Sequence, residues 1–169
     1  MRYILILLMI LLSPRAWALE IKSDAFNNGN VIPTQYTCDS YDISPTLSWG
    51  SVPSGAKSLV LFCDDPDSPS KPWSHWVMFN IPPDKGSIPA DVPKKERLPD
   101  GTIQGINDFG RIGYSGPCPP PSGPHRYFFT LYAVDTTINL DENSTKQEVW
   151  EAIKGHIIAE AVIFGTYKR

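Results

Sequence analysis

His125-Arg126-Tyr127 opens an apolar run, residues 127–134, directly after a loop crowded with proline, Gly116-Pro117-Cys118-Pro119-Pro120-Pro121-Ser122-Gly123-Pro124. In a strand, residues two apart share a face, so His125 and Tyr127 project together. A proline-stiffened loop has little freedom to lose and can hold polar groups beside that strand. Upstream, Asp65-Pro66-Asp67-Ser68-Pro69 follows one apolar run, and His75 enters another. Each proline keeps the residue before it extended, which lets Asp65 and Asp67 share a face. Two imidazoles, two carboxylates and a phenol suit recognition of a phosphate, sulfate or carboxylate. Imidazole near neutral pH donates to an anion or accepts from a hydroxyl. The Tyr127 phenol donates, and the carboxylates orient the imidazoles and favour their charged form. Backbone N–H groups around Gly116 offer a concavity for an oxyanion, although the prolines remove some donors.

Other chemistries fit these residues less well. An Asp-x-Asp phosphatase nucleophile also follows an apolar strand, but it belongs to a parallel α/β sheet, and here proline separates the acids. A solvated Asp-Pro turn is the bland reading of the same segment. Asp65, Asp67, His75 and His125 are zinc-type donors, yet their spacing matches no compact ligand motif. Ser115 does not sit in a Gly-x-Ser-x-Gly elbow. Cys118 is flanked by proline and has no activating base beside it in sequence. His156 lies between Gly155 and Ile157 without polar neighbours and reads as structural. The set describes a binding site without a nucleophile, a metal or a cofactor, and a chain that is not an enzyme. Two alternatives stand beside it. One is a hydrolase that uses His and Asp as acid and base on water. The other is a protein-interaction module, inhibiting a protease or a signalling protein through exposed loops, above all residues 85–110.

The elements that must position these groups are strands. Apolar runs of strand length, bounded by turn signals, fall at 46–49, 58–64, 75–81, 126–135 and 157–166. Short pieces at 19–21 and 36–37 add edge strands. The run 127–134 is apolar on both alternations and predicts a central strand covered on both faces. Seventeen prolines and twelve glycines fall mainly between the runs, as turns require. One helix is predicted, from 145 to 154. Ser144 or Thr145 caps it with Gln147 or Glu148 three residues on, Val149, Trp150 and Ile153 form its apolar face, and Gly155 ends it. Asn143-Ser144-Thr145 matches a glycosylation sequon as well as this helix start. Asn107-Asp108-Phe109-Gly110 reads as a turn. Strands joined by long loops, with one short C-terminal helix before the last strand, indicate an all-β sandwich.

The first 18 residues read as a secretory signal: Arg2, an apolar stretch over 3–12, and Ala16-Trp17-Ala18 as a cleavage site. One domain, residues 19–169, follows. The expected location is the periplasm or the exterior, with no stable membrane anchor after cleavage. Loss of Arg2 and Arg15 leaves 13 basic against 18 acidic residues, a net charge of −5 with His neutral. That balance argues against nucleic acid as a partner. Nor is there a basic amphipathic helix to hold an anionic membrane. Three cysteines form an odd set. Cys63 lies inside an apolar run and reads as a buried thiol. Cys38 and Cys118 sit in loop-like sequence and are the better pair for a bridge, though three free thiols satisfy the sequence equally.

Taken together, Asp65-Pro66-Asp67-Ser68-Pro69, Trp73-Ser74-His75-Trp76, Gly116-Pro117 and His125-Arg126-Tyr127 resemble the signature of the phosphatidylethanolamine-binding protein family. Tyr36-Thr37-Cys38-Asp39, Ile43-Ser44-Pro45, Leu47-Ser48-Trp49 and Gly116-Pro117-Cys118-Pro119-Pro120 are similar to its bacterial, Raf-kinase-inhibitor-like branch. So is the ending from Ala159-Glu160-Ala161 to Gly165-Thr166-Tyr167. The resemblance implies an antiparallel Greek-key β-sandwich. It also implies an anion pocket for phosphate-bearing ligands such as phosphoethanolamine head groups. By motif, Asp65, Asp67, Pro69, His75, Gly116, Pro117, His125 and Tyr127 carry over as pocket residues. The family is described as lipid binders, kinase-pathway modulators and protease inhibitors, not as enzymes. Two departures follow. Ser74-His75 retains only the second imidazole of a histidine doublet. The chain also lacks a longer C-terminal segment that covers the pocket in animal members, which implies an open pocket here.

Overall fold

Strand-forming runs dominate the chain, and the computed structural model, which describes residues 18–169, arranges them in two antiparallel sheets. The expected signal sequence, residues 1–18, lies outside the described residues apart from Ala18. In chain order the elements are β1 (Glu20–Lys22), β2 (Leu47–Gly50), β3 (Ser58–Asp65), β4 (Trp73–Ile81), β5 (Ser87–Ile88), β6 (Ile103–Gln104), β7 (His125–Val134), α1 (Lys146–Ile153) and β8 (Ile157–Tyr167). The small sheet runs β1-β2-β5 and the large one β6-β4-β3-β7-β8. The long connection out of β4 returns the chain to the far side of β3, a Greek-key step that makes β3 and β7 central. The all-β sandwich expected from the sequence is the architecture observed.

Alternation along β3 divides the core in two. Leu59, Leu61 and Cys63 face the small sheet and pack with Leu47, Trp49, Ile88, Met78, Phe129 and Leu131. Val60 and Phe62 face the other way, toward Val77, Phe79 and the α1 residues Val149 and Ile153. Each such side chain, fully buried, contributes roughly 1.5–3 kcal/mol of transfer free energy. The helix starts as its sequence requires. Thr145 accepts the N–H of Glu148 while Glu148 reaches back to the Thr145 N–H, so both orphan donors are satisfied.

Three local differences from expectation have physical causes. Residues 36–37 form no strand; Thr34–Tyr36 is a short 3-10 turn entered from Pro33 at φ −58°. Residues 85–110 contain β5 and β6, each two residues long and too short to show a period. His156 is not free of polar neighbours: its Nδ1 lies 2.7 Å from Asp135 Oδ1 at the exposed end of the β7–β8 connection. The Asn107 turn forms as expected, with Asn107 Oδ1 accepting from the N–H groups of Phe109 and Arg111.

Cys63 pairs with Trp76, but Asp64 pairs with Ser74, so β4 carries one extra residue, His75. This bulge turns His75 toward the same side as Trp76, whereas simple alternation would send it to the helix side.

Cys38 and Cys118 are joined in a disulfide, their Cα atoms 5.4 Å apart, and Cys63 is free and buried. The bridge links residues 80 apart in sequence, so it removes considerable freedom from the unfolded chain. The double substitution Cys38→Ala, Cys118→Ala is expected to lower unfolding free energy by about 3–4 kcal/mol in urea titration.

Candidate functional site

The site gathers where β3 ends and β7 begins. Alternation on β7 buries His125 and Tyr127 on the face toward the small sheet and leaves Arg126 outside. Asp65, the last residue of β3, shares that inner face. His125 Nδ1 donates to Asp65 Oδ2 across 2.7 Å, with both side chains under 8 % exposed. The other Asp65 oxygen accepts the N–H of Asp67 at 2.8 Å, which folds the Asp-Pro-Asp turn onto the carboxylate.

The bulge brings in His75. Its ring meets the Tyr127 ring edge-on, centroids 5.2 Å apart at 89°, and Phe109 closes the other side at 5.2 Å. His75 Nδ1 lies 2.6 Å from the Ser115 carbonyl oxygen. A carbonyl can only accept, so Nδ1 carries the proton and the neutral ring keeps its lone pair on Nε2. Burial holds the His75 pKa below its ordinary value and outweighs the Ser115 carbonyl and the Asp65 charge, which push the other way. His75 is thus favoured in its neutral form, opposite to the charged form expected from its acidic neighbours. The neutral ring supports folding above about pH 6.5, and that support is lost as pH falls.

Tyr127 is fully buried, and its hydroxyl, close to Asp65 and to the Cys118 backbone, meets neither at hydrogen-bond geometry. Burial first, then the Asp65 charge, push its phenol far above the usual range, so it remains a donor. A buried hydroxyl without a partner costs on the order of 1–3 kcal/mol. Such an atom amid two oriented imidazoles is what a ligand oxygen would relieve.

Asp67 takes a different part from the one its spacing suggested. It orients no imidazole. Its carboxylate accepts from Arg126 Nε at 2.9 Å, Nη2 at 2.7 Å and the Arg126 backbone N–H at 2.9 Å. The Arg126 hydrogen bond is the main reason its pKa falls to about 2. Gly116 also departs from expectation: its N–H donates to Asp42 Oδ1 at 2.6 Å and is not free for an oxyanion. Its lack of a side chain is required, since a Cβ there would overlap the Tyr36 carbonyl and lie 2.8 Å from Thr37 Cα. Pro117 is buried beside it, and its carbonyl accepts the Cys38 N–H at 3.1 Å. Pro69 lies in the exposed loop between β3 and β4. Arg126 and Asp42 complete the surroundings without having been singled out by sequence, while Ser115, weighed there only as a nucleophile, supplies its carbonyl, and Phe109, read there only as part of a turn, supplies its ring. Arg126 sits between two site residues in the sequence, the one signal that could have found it.

The cluster is closed rather than open. Asp65, His75, His125 and Tyr127 are each at most 5 % exposed. A neighbouring cavity of about 530 Å³ is lined by Asp67, Ser122, Gly123, Pro124, His125, Arg126 and Thr166. It reaches His125 and Asp67 from outside, with His75, Tyr127 and Gly116 not among its lining residues. The open pocket implied by the resemblance is therefore not formed by these four side chains, which are withdrawn from solvent.

The family model described as phosphatidylethanolamine-binding protein matches residues 22–168. The chain belongs to this family. It is 56% identical over 151 residues to a UPF0098 protein of Methanothermobacter thermautotrophicus, covering 89% of this chain and 99% of that one. Among solved structures, Escherichia coli YbcL, described as a member of the mammalian family, superposes with a TM-score of 0.85 at 34% identity, covering 90% of this chain and 99% of that one. A homolog of the family from Chlamydia trachomatis gives 0.82 at 40% identity, covering 90% and 98%. The resemblance read from separated motifs is thereby shown for nearly the whole described chain.

Asp67 offers a check on the outer part of the site. Because its carboxyl is depressed in the folded state, its contribution is present above about pH 4 and fades as pH falls toward about 2. Asp67→Asn is expected to cost under about 1 kcal/mol at pH 7, the pair being largely exposed. Urea denaturation should show the difference from the parent shrinking as pH falls through that window.

Proposed function

We propose that the chain is an exported, periplasmic or secreted, binding protein. Its ligand is a small phosphorylated or otherwise anionic molecule. The observation that carries this reading is the buried, unpartnered Tyr127 hydroxyl beside two imidazoles whose Nδ1 atoms are already committed, to Asp65 and to the Ser115 carbonyl. Each ring then has one nitrogen left for a ligand. A phosphate monoester supplies acceptors for the phenol and for any protonated Nε2, and its own hydroxyl can donate to a neutral Nε2. Arg126, half-exposed beside the adjoining cavity, adds a positive charge on the path in. The described disulfide supports export, since such bridges persist in oxidising compartments.

Binding requires the cluster to open or the phosphate to enter from the His125 side. Proton uptake should accompany it, because a bound dianion favours the charged form of a ring that burial keeps neutral. Isothermal titration with phosphoethanolamine and with phosphotyrosine should give dissociation constants of about 1 mM or tighter. Heats measured in two buffers of different ionisation enthalpy should reveal uptake, with affinity falling as pH rises above about 6.5. His125→Ala should weaken binding about tenfold or more. No binding at millimolar ligand, or binding untouched by His125→Ala, would count against the proposal.

A hydrolytic reading rests on the same Asp65–His125 hydrogen bond, which orients an imidazole as a general base would need. Among the described residues, the Nδ1 atoms of both site imidazoles meet a carboxylate and a carbonyl, so water would be the attacking group. Turnover of generic phosphate or carboxylic esters, abolished by His75→Ala, would favour this reading over binding.

A further inference from the structure

The opposite face of the large sheet carries a cavity of about 680 Å³ where the start of α1 approaches β4. One wall is aromatic. Tyr132 meets Trp150 edge-on at 5.7 Å and Phe62 at 5.9 Å. Two lysines stand at the cavity. Lys146 Nζ lies 2.7 Å from Asp64 Oδ2 and 5.4 Å from the Phe62 ring. Lys71 Nζ lies 2.9 Å from Asp108 Oδ1. An ammonium has three donors, and each pair uses one. Lys146 and Gln147 also line the cavity as the first two residues of α1. Their N–H groups precede the reach of intrahelical bonding and carry the positive end of the helix dipole.

A second, independent observation points to a ligand. Ser74 lines the same cavity, is only 4 % exposed, and its hydroxyl has no hydrogen-bond partner. Asp64 Oδ1 is likewise buried without one. The Ser74 hydroxyl is near enough to favour the Asp64 carboxylate, yet the two do not meet hydrogen-bond geometry; burial is the larger influence and raises the Asp64 pKa. Asp108 is already engaged, accepting the Ser74 N–H at 2.7 Å and Lys71. Donors left over on the two ammonium groups and on the first N–H groups of α1 thus stand around a space with aromatic sides. That pattern suits an acid group at one end of a flat apolar body.

We propose that this cavity binds a small aromatic acid. The acid group sits among Lys71, Lys146, the Ser74 hydroxyl and the first N–H groups of α1, and the ring lies against Tyr132 and Trp150. The site is separate from the histidine cluster: Ser74 and His75 are sequence neighbours on opposite faces of the sheet, so each cavity takes its own ligand.

The probe is indole-3-acetate, titrated into the chain by calorimetry and followed by amide NMR. A dissociation constant of about 1 mM or tighter is expected. Shifts should concentrate at Ser74, Lys146, Gln147 and the Trp150 indole N–H. Trp150→Ala and Lys146→Gln should each weaken binding about tenfold, His125→Ala should not, and the neutral indole-3-acetamide should bind about tenfold more weakly. Lys146→Gln leaves Asp64 unpaired and can unfold the chain, but the shift map of the unaltered protein decides without it. No heat and no shifts up to about 10 mM probe, shifts centred on His75 and His125, or equal binding of acid and amide would each overturn the proposal.

Discussion

The Asp65 carboxylate and the His125 imidazole meet 2.7 Å apart where water scarcely reaches. Such a contact is a poor source of stability, because removing charged groups from water costs about as much as their attraction returns. Its value is positional. Asp65 fixes the tautomer and plane of His125 at one oxygen and shapes the following turn at the other, so the end of β3, the Asp-Pro-Asp loop and the start of β7 are set by one carboxylate. Tyr127 lies one alternation further along β7, and His75 rests against its ring. If the pair were broken, the remaining buried partner would lack a counterpart, and the rings packed edge-on beyond it would lose their reference.

A second set of ties holds the loop after Tyr114. The Tyr114 hydroxyl donates to the Tyr36 carbonyl at 2.8 Å, Gly116 N–H to Asp42, and Cys38 N–H to the Pro117 carbonyl, while the Cys38–Cys118 bridge locks the same two segments covalently. Lys94 meets the other Asp42 oxygen at 2.7 Å from outside. These contacts are short polar links between two irregular segments. They replace the ladder that a sheet would supply, and they keep the Ser115 carbonyl where His75 can donate to it.

Much of this was legible from residue order. Apolar runs between turn signals located the long strands, and the two-residue period of a strand put His125 with Tyr127. The capping box at Thr145 and Glu148 marked the helix start to within a residue. What alternation cannot show is a bulge. His75 and Trp76 are consecutive and would be assigned to opposite faces, yet the extra residue in β4 turns both inward. Partner choice was equally hidden. Asp67 lies two residues from Asp65 in the same proline-flanked turn, but the bidentate geometry of Arg126 captures it. The direction of the His75 shift was missed for a related reason: its charged neighbours are visible in sequence, and its burial is not. The disulfide needed the proximity of two loops, which spacing alone does not supply.

Asp64 and Asp65 are consecutive on a central strand, one paired with Lys146 toward the helix and the other with His125 toward the small sheet. A slip of β3 by a single position would exchange their faces along with those of Leu61, Phe62 and Cys63. The apolar residues would tolerate such an exchange, since both layers are hydrophobic. The two acids would not, because each would arrive among groups arranged for its neighbour. Adjacent charges aimed in opposite directions thus act as a ratchet on strand alignment, making an otherwise greasy and permissive segment intolerant of frame errors during assembly.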